Sequence, residues 1–518
     1  MLKNRFGDQI YHNLVTIGYA GIAIGLPLSK ALLSISLVYL IILFLIGGEI
    51  KGSFQKIKAQ PILVLLFAFL ILHLLSFLWS DDLGFALKDL KNKIPLYILP
   101  FLWVIHALRN RKETNLLFGI FLLAVALTSI LNYGSYAFGW FGKTYVDIRS
   151  LSLFVSHIRF SLMVVFAIAI SWYFILQKSG PLRIAFLILI AWLIYYTSYS
   201  QVLSGALTLG GVFVFILIYE MTQRKNKLFS ILVLSFLVSL GSLLAYGTWF
   251  ILQKQELRVS LENLPERTKE GNWYEHQTNP LTLENGYPLS CFISEFELQR
   301  DWSKLSSIPY DSIDKKGQEV RITLIRYINS KGLHKDAEGL ASLSKNDIKN
   351  VENGIPTVLA LENGFIARMH EIRYELWNNE NPNGQSVSQR LIYWRTGLTI
   401  AKESWLFGIG SGDIEQAFQK QYEIDNSPLE MINRNRTHNQ FLTYFITFGI
   451  VGLALFIWIL IKAFNYCKQE DHLLGFLFLI IAILSFLVED TLETQTGVTF
   501  FAFFFGHFIS SRKNQSNI

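Results

Sequence analysis

What most limits this chain is its series of apolar runs, among them Ala31–Ile46, Pro61–Trp79 and Asn439–Ile461. Each is close to the ~20 residues that a helix needs to cross a bilayer core. Lipid offers the backbone no hydrogen bonds, so runs of this kind pair their own N–H and C=O groups as α-helices. Hydropathy places about twelve, at 13–28, 30–48, 61–79, 95–107, 115–139, 158–177, 182–198, 201–221, 228–252, 437–462, 472–488 and 496–511. The predicted fold is therefore all-α and polytopic, in contact with the lipid bilayer. Composition agrees, with 52% hydrophobic and 16% charged residues, where a soluble domain carries about a quarter charged. This weighs against a water-soluble enzyme and excludes a disordered chain.

The formal charge of +7 would suit a nucleic-acid partner. The basic residues sit in short clusters between the apolar runs, however, where orientation signals belong, and no nucleic acid is expected. With the N-terminus inside, the inner connections hold seventeen Lys and Arg, from Lys3 and Arg5 to Arg512 and Lys513. The short outer connections hold six: Lys30, Lys88, Lys91, Lys93, Lys143 and Arg149. This asymmetry predicts that both termini are cytoplasmic. Met1–His12 is polar and leads straight into the spans, so no cleavable signal peptide is expected. Cys291 and Cys467 fall on opposite sides, which predicts neither a disulfide nor a cysteine metal site.

Three regions follow: a bundle of about nine helices over 1–252, a large outer loop domain over 253–436, and about three helices over 437–518. The loop is polar and proline-bearing, and long enough for a small core of its own. Within it, Leu340–Asn350 and Ala367–Asn378 read as amphipathic helices. Gln385–Glu403 reads as a helix with an apolar stripe through Leu391, Trp394 and Leu398, extending to Leu406. Gly408-Ile-Gly410-Ser-Gly412 is a turn; it lacks the Gly-Lys-Ser/Thr of a nucleotide phosphate loop. The spans show no internal repeat, which weighs against transporters built from duplicated halves.

Ionisable groups are costly in lipid, so those at span ends beside the loop are the best functional candidates. Arg159 opens the sixth span, Arg390 lies in the helix just before the loop returns, and His438 opens the tenth span. The predicted topology brings all three to one membrane face. Taken singly, each has an ordinary reading that outweighs the functional one. Arg159 is a snorkelling anchor, Arg390 a solvated helix face, and His438 an interfacial polar residue. The spacing after His438 adds to this: His438-Asn439, nine residues, then Gly449-Ile450-Val451-Gly452. On a regular helix Gly449 lies about 20° from His438 and Gly452 about 40° the other way, which suits helix packing below the imidazole.

His-Asn, nine residues and Gly-x-x-Gly resembles the signature of the O-antigen ligase family. These are bacterial membrane glycosyltransferases that include related protein-glycosylating oligosaccharyltransferases. The Arg390-x-x-x-Trp394 helix, the Trp405–Gly412 segment and the large loop before the His span support the resemblance. Glu489–Gly497 before a Phe-rich last span is similar to members from Bacteroidetes-type bacteria. The match is best over 385–505, with Arg159 a looser match. The resemblance implies a GT-C-like bundle in the inner membrane and a metal-independent, cofactor-free transferase with a periplasmic active site and loop. Its donor would be a glycan linked through diphosphate to undecaprenol, and its acceptor a sugar of lipid A-core. His438 matches the essential His, Arg390 the essential loop Arg, and Arg159 the membrane-end Arg that contacts diphosphate.

The chemistry suits those roles. Fixed guanidinium groups bind phosphate oxygens in pairs and stabilise the charge that develops on a departing diphosphate. No DxD-like acidic pair lies near Arg390 or His438 on the loop. An imidazole suits taking a proton from an acceptor hydroxyl, and Arg436 nearby is expected to favour its neutral form. Arg395 and Arg436 are weaker candidates for phosphate contact. Glu489 and Asp490 either bind an acceptor sugar or cap their loop. Asp81, Asp82, Lys91 and Lys93 read as a solvated lip. Polymerase and protein O-oligosaccharyltransferase activities share most of this logic and stay open; a flippase fits less well.

Overall fold

The chain folds mainly into α-helices, as its apolar runs require. It is described by a computed structural model covering all residues except 1–6, 48–54, 57, 144–150, 225, 280, 362–363, 378–381, 384, 471 and 512–518. The orientation residues Lys3, Arg5, Lys51, Arg149, Lys225, Arg512 and Lys513 lie outside the described residues. The helices are α1 (Asp8–Leu28), α2 (Lys30–Gly47), α3 (Pro61–Leu75), α4 (Leu83–Ile105), α5 (Arg111–Phe138), α6 (His157–Gln177), α7 (Pro181–Ser200), α8 (Leu203–Arg224) and α9 (Lys227–Leu252). The loop carries α10 (Glu295–Leu305), α11 (Val320–Ser330), α12 (Ala337–Ala341), α13 (Lys345–Glu352), α14 (Gly364–Trp377), α15 (Ser386–Glu403) and α16 (Ile414–Ile424). Then come α17 (Gln440–Gln469), α18 (Leu473–Val488) and α19 (Gln495–Ser510).

Eight helices among the described residues are long and apolar enough to cross a membrane: α2, α3 with its 3₁₀ extension to Trp79, α5 to α9, and α17. This is a multi-pass membrane protein. The four other predicted spans fall in α1, α4, α18 and α19, of which α18 and α19 have only 16 residues each. Helix α4 starts at Leu83, well before the expected 95, and carries Lys88, Asp89, Lys91 and Lys93 in its first turns.

The chain divides into two compact units. The first comprises Met1–Asn226, Ile392–Ser427 and Arg434–Ile518; the second Lys227–Leu391 and Pro428–Asn433. The division differs from the expected one: α9 groups with the loop, while the loop's last helices group with the bundle.

In the first unit, α19 is the hub. Its side chains from Thr496 to Ile509 are all buried. Phe504 meets Phe166 of α6 at 4.7 Å and Phe121 of α5 at 5.0 Å between ring centroids. Gly506 lies against Pro100 and Trp103 of α4, where a Cβ would come within 2.8 Å of the Pro100 backbone. A helix apolar on every side is one that other helices enclose.

The second unit has its own core, with Leu298 and Trp302 of α10 packed on Val320, Leu324 and Ile328 of α11 and Val351 of α13. A two-strand antiparallel hairpin, Leu283–Glu284 with Tyr287–Pro288, lies before α10. The helix expected over 340–350 is two helices, because Ser344 and Asp347 form a capping box that starts α13 afresh. In α15 the expected stripe is reversed. Leu391 and Leu398 are exposed, as is Leu406 beyond the helix, while Tyr393, Thr396, Gly397 and Ile400 are buried. Aliphatic spacing marks a soluble helix's inner face, but in a membrane protein apolar side chains also face outward.

Helix α17 breaks at Gly449, whose φ of 66° and ψ of −167° lie outside helical space. The break frees backbone groups, and the Trp405–Gly410 segment takes them up. Ile409 N–H donates to Ile446 O (2.9 Å), Gly410 N–H to Thr447 O (3.0 Å), and Ile450 N–H to Trp405 O (2.8 Å). The turn at Gly408–Gly412 and the Gly-x-x-Gly motif are thus halves of one joint. The expected alignment of His438 above Gly449 on a continuous helix does not hold, since His438 precedes the helix and Gly449 interrupts it. Gly452 is buried near Leu72 of α3, in keeping with close helix packing.

A Cβ at Gly449 would fall on the Leu406 carbonyl and require a left-handed backbone. Gly449→Ala should destabilise the folded bundle by about 1–3 kcal/mol, read as a lower thermal midpoint in detergent. Gly119→Ala, which meets nothing within 4 Å, is the control that should leave the midpoint unchanged or raise it.

Candidate active site

The site begins with how α17 starts. Asn439 is the N-cap: its side-chain oxygen accepts from Leu442 N–H (3.0 Å), and its amide donates to Leu487 O at the end of α18 (3.0 Å). His438, just before the cap, has a φ of 47°. Such a backbone is uncommon for a residue with a side chain and is kept only where the surroundings enforce it. Trp394 of α15 donates its indole N–H to Thr437 O (2.9 Å), and the Tyr393 ring lies 5.7 Å from the His438 ring. The His-Asn pair therefore has a division of labour, with Asn capping the helix and tying it to α18 while His is turned off the helix axis.

The imidazole faces the connection between α18 and α19. His438 Nδ1 is 3.2 Å from Glu489 Oε2 and 3.9 Å from Asp490 Oδ1. Arg159 of α6 reaches the same two carboxylates: Nη1 is 3.7 Å from Glu489 Oε2, and Nη2 donates to Asp490 O (3.2 Å) and lies 3.4 Å from Asp490 Oδ1. Arg159 is 7% exposed, and its Nε has no hydrogen-bond partner among the described residues. Burial alone would raise the Asp490 pKa, but the positive charges of His438, Arg159 and Arg436 outweigh it and hold the carboxyl below its usual range.

A second charged cluster lies alongside. Lys93 of α4 is 1% exposed. Its Nζ donates to both oxygens of Asp89 (2.9 and 2.8 Å) and to Glu493 Oε2 (3.0 Å). Glu493 also accepts from the Gln440 amide (3.0 Å) and faces Arg436 Nη1 at 3.5 Å. His73 of α3 closes the cluster, with Nε2 3.2 Å from Asp89 and Nδ1 3.1 Å from the Tyr97 hydroxyl.

Two of the three leading residues, Arg159 and His438, are thus brought together through Glu489 and Asp490. Arg390 is half-buried in the first turns of α15 and belongs to the second unit. Arg395 is exposed. Arg436 is drawn to Glu493 and, at 3.7 Å, to Glu415, so the charge facing the imidazole is a carboxylate rather than this guanidinium. Glu489 and Asp490 are buried against His438 and Arg159. Lys93 is no solvated lip. The signal for it was an Asp-x-x-x-Lys pair beside an apolar run, one helical turn apart and costly near lipid unless paired. Asp81 and Asp82 give their backbone N–H groups to the Asp413 carboxylate (2.9 and 3.0 Å), which pins the Gly408–Gly412 turn to the end of α3.

Donor atoms of His438, Glu489 and Asp490 lie within 4.8 Å of one another, a set that could hold a divalent cation. Arg159 already supplies a cation to both carboxylates, so the chemistry of the cluster suits an orienting role for the acids at least as well. Beside Asn439 runs a groove of about 320 Å³ lined by Trp394, Leu398, Phe441, Leu442, Phe445 and Leu453.

Residues 351–457 match the family model described as O-antigen ligase. The matched span takes in Arg390, α15, the Gly408 joint, His438 and the Gly449 break. A protein of Haemophilus influenzae described as uncharacterized is 27% identical over 145 residues. That is 26% of this chain and 36% of the other, so the match spans little more than a third of the relative's length.

Removing Lys93 leaves two buried carboxylates sharing less positive charge. Lys93→Met should cost about 3–5 kcal/mol, measured by thermal unfolding in detergent, and Lys93→Met with Glu493→Gln should recover part of that loss.

Proposed function

We propose, from the similarity of residues 351–457 to the O-antigen ligase family model, that the chain is an O-antigen ligase. It transfers a polysaccharide from undecaprenyl diphosphate to a sugar hydroxyl of lipid A-core, at the periplasmic face of the inner membrane. This reading includes twelve spans, cytoplasmic termini and a periplasmic loop. The observation that carries it is the His438–Glu489–Arg159 cluster at the start of a membrane helix. Glu489 on Nδ1 favours the tautomer with its proton there and leaves Nε2 as the acceptor, the arrangement a general base needs.

In the reaction the acceptor oxygen bonds to the anomeric carbon of the donor sugar as the bond from that carbon to the phosphate oxygen breaks. The hydroxyl proton passes to His438 Nε2, and the diphosphate leaves with the bonding pair. Attack opposite the leaving group inverts the anomeric centre. Arg390 and Arg159 stabilise the developing diphosphate charge, with Arg436 and Arg395 as further contacts. Arg159's unpartnered Nε supports this, as a donor still to be satisfied. Cationic side chains do here what a divalent metal does elsewhere, so transfer is expected without one. The apolar groove beside Asn439 suits the polyprenyl carrier.

Purified protein with lipid-linked glycan and lipid A-core should form the ligated product. His438→Ala should lower transfer on the order of 10²–10⁴-fold, and Arg390→Ala should abolish it, both with normal membrane expression. Arg390→Lys should also fail, because an ammonium cannot make the paired contact. Near-normal transfer by the His438 or Arg390 alanine variant would sink the mechanism. In cells, deletion should leave lipid A-core bare while lipid-linked polymer accumulates. Chains shortened to one repeat would instead mark a polymerase.

A further inference from the structure

The most exposed large apolar side chains in the second unit sit on one short turn. Ile432 is 84% and Met431 79% exposed, on the 3₁₀ turn Met431–Asn433. The turn is held rather than loose. Asn383 brackets it: its Oδ1 accepts from Glu430 N–H (2.9 Å) and the Asn433 amide (2.9 Å), and its own amide donates to Pro428 O (3.1 Å). Leu429 is buried beneath, and Asn433 N–H returns to Glu430 O (2.9 Å). Two apolar side chains are thereby presented outward on a braced loop, where turns normally carry polar residues.

Chain length bounds how far the turn can lie from a membrane-length helix. Ile432 is eight residues from Gln440, the first residue of a membrane-length helix, and eight extended residues reach about 28 Å at most. The same unit has a membrane landmark of its own. Trp377 donates its indole N–H to Ile251 O (3.0 Å) at the end of the membrane-length helix α9. Asn383 follows Trp377 by six residues, a reach of about 20 Å. The turn is followed by Arg434, a basic flank of the kind that lipid phosphates favour.

We propose that Met431 and Ile432 form an interfacial anchor that inserts into the bilayer leaflet at which α17 begins. The partner is a phospholipid surface, and the anchor fixes the height of the returning loop above the membrane just before His438. This does not rest on the ligase reading, and its test involves no glycan transfer.

The test places Ile432→Cys in the full chain, labels it with the environment-sensitive fluorophore NBD, and reconstitutes the protein in phosphatidylethanolamine–phosphatidylglycerol nanodiscs. Cys291 and Cys467 are 0% and 1% exposed and stay unlabelled in the folded protein. Lys316→Cys, exposed in the same unit, is the aqueous reference. The expected result is emission shifted to the blue of the Lys316 label and quenched by lipids spin-labelled near the headgroup. Emission matching the reference and indifferent to those lipids would overturn the proposal. A blue shift that spin-labelled lipids leave alone and that fades on dilution would overturn it too, in favour of a second copy covering the turn.

Discussion

A membrane helix that breaks must give its freed backbone groups new partners from protein, because lipid supplies none. At Gly449 those partners are the backbone of Trp405–Gly410, and much of the first unit hangs on that exchange. It binds the segment after α15 to the middle of α17. Through Ser411, whose hydroxyl lies 2.9 Å from that of Ser76, and through Asp413 it also binds both to the end of α3. With the lower part of α17 fixed in this way and its start tied by Asn439 and Trp394, the ring of His438 has little freedom left.

The charges obey a related rule. Each buried carboxylate at this end of the bundle has a cation: Glu489 and Asp490 have Arg159, and Asp89 and Glu493 share Lys93. Such pairs are poor sources of net stability but strong enforcers of arrangement, since a missing partner leaves an uncompensated buried charge. The connection between α18 and α19 carries three of the four acids, so it is held from both sides. That makes it a firm wall for the imidazole, which a flexible surface loop would not be.

The apolar runs alone disclosed the helices, because lipid permits little else, and the His-Asn spacing pointed to the start of α17. Which carboxylate would face His438 was not legible, since Glu489 and His438 are 51 residues apart and no local pattern joins them. Hydropathy places Lys93 at the surface because it treats a charge as a boundary, whereas a paired charge can lie inside. The stripe on α15 fails for the opposite reason: an apolar side chain is not bound to turn inward, and Leu391 and Leu398 stay exposed. By spacing Gly449 reads as a packing residue on a regular helix, and only its backbone angles reveal a hinge filled by another segment.

The contact between Arg159 and Asp490 spans 331 positions of the chain. At roughly 5–20 residues per second of synthesis, some tens of seconds separate the two. Throughout that interval the acids that meet Arg159 in the complete chain are still unmade, and His438, once made, awaits the carboxylate beside it. Any chain interrupted within the loop therefore has neither wall nor oriented ring. The order of translation itself ensures that this charged arrangement exists only in molecules made past Asp490.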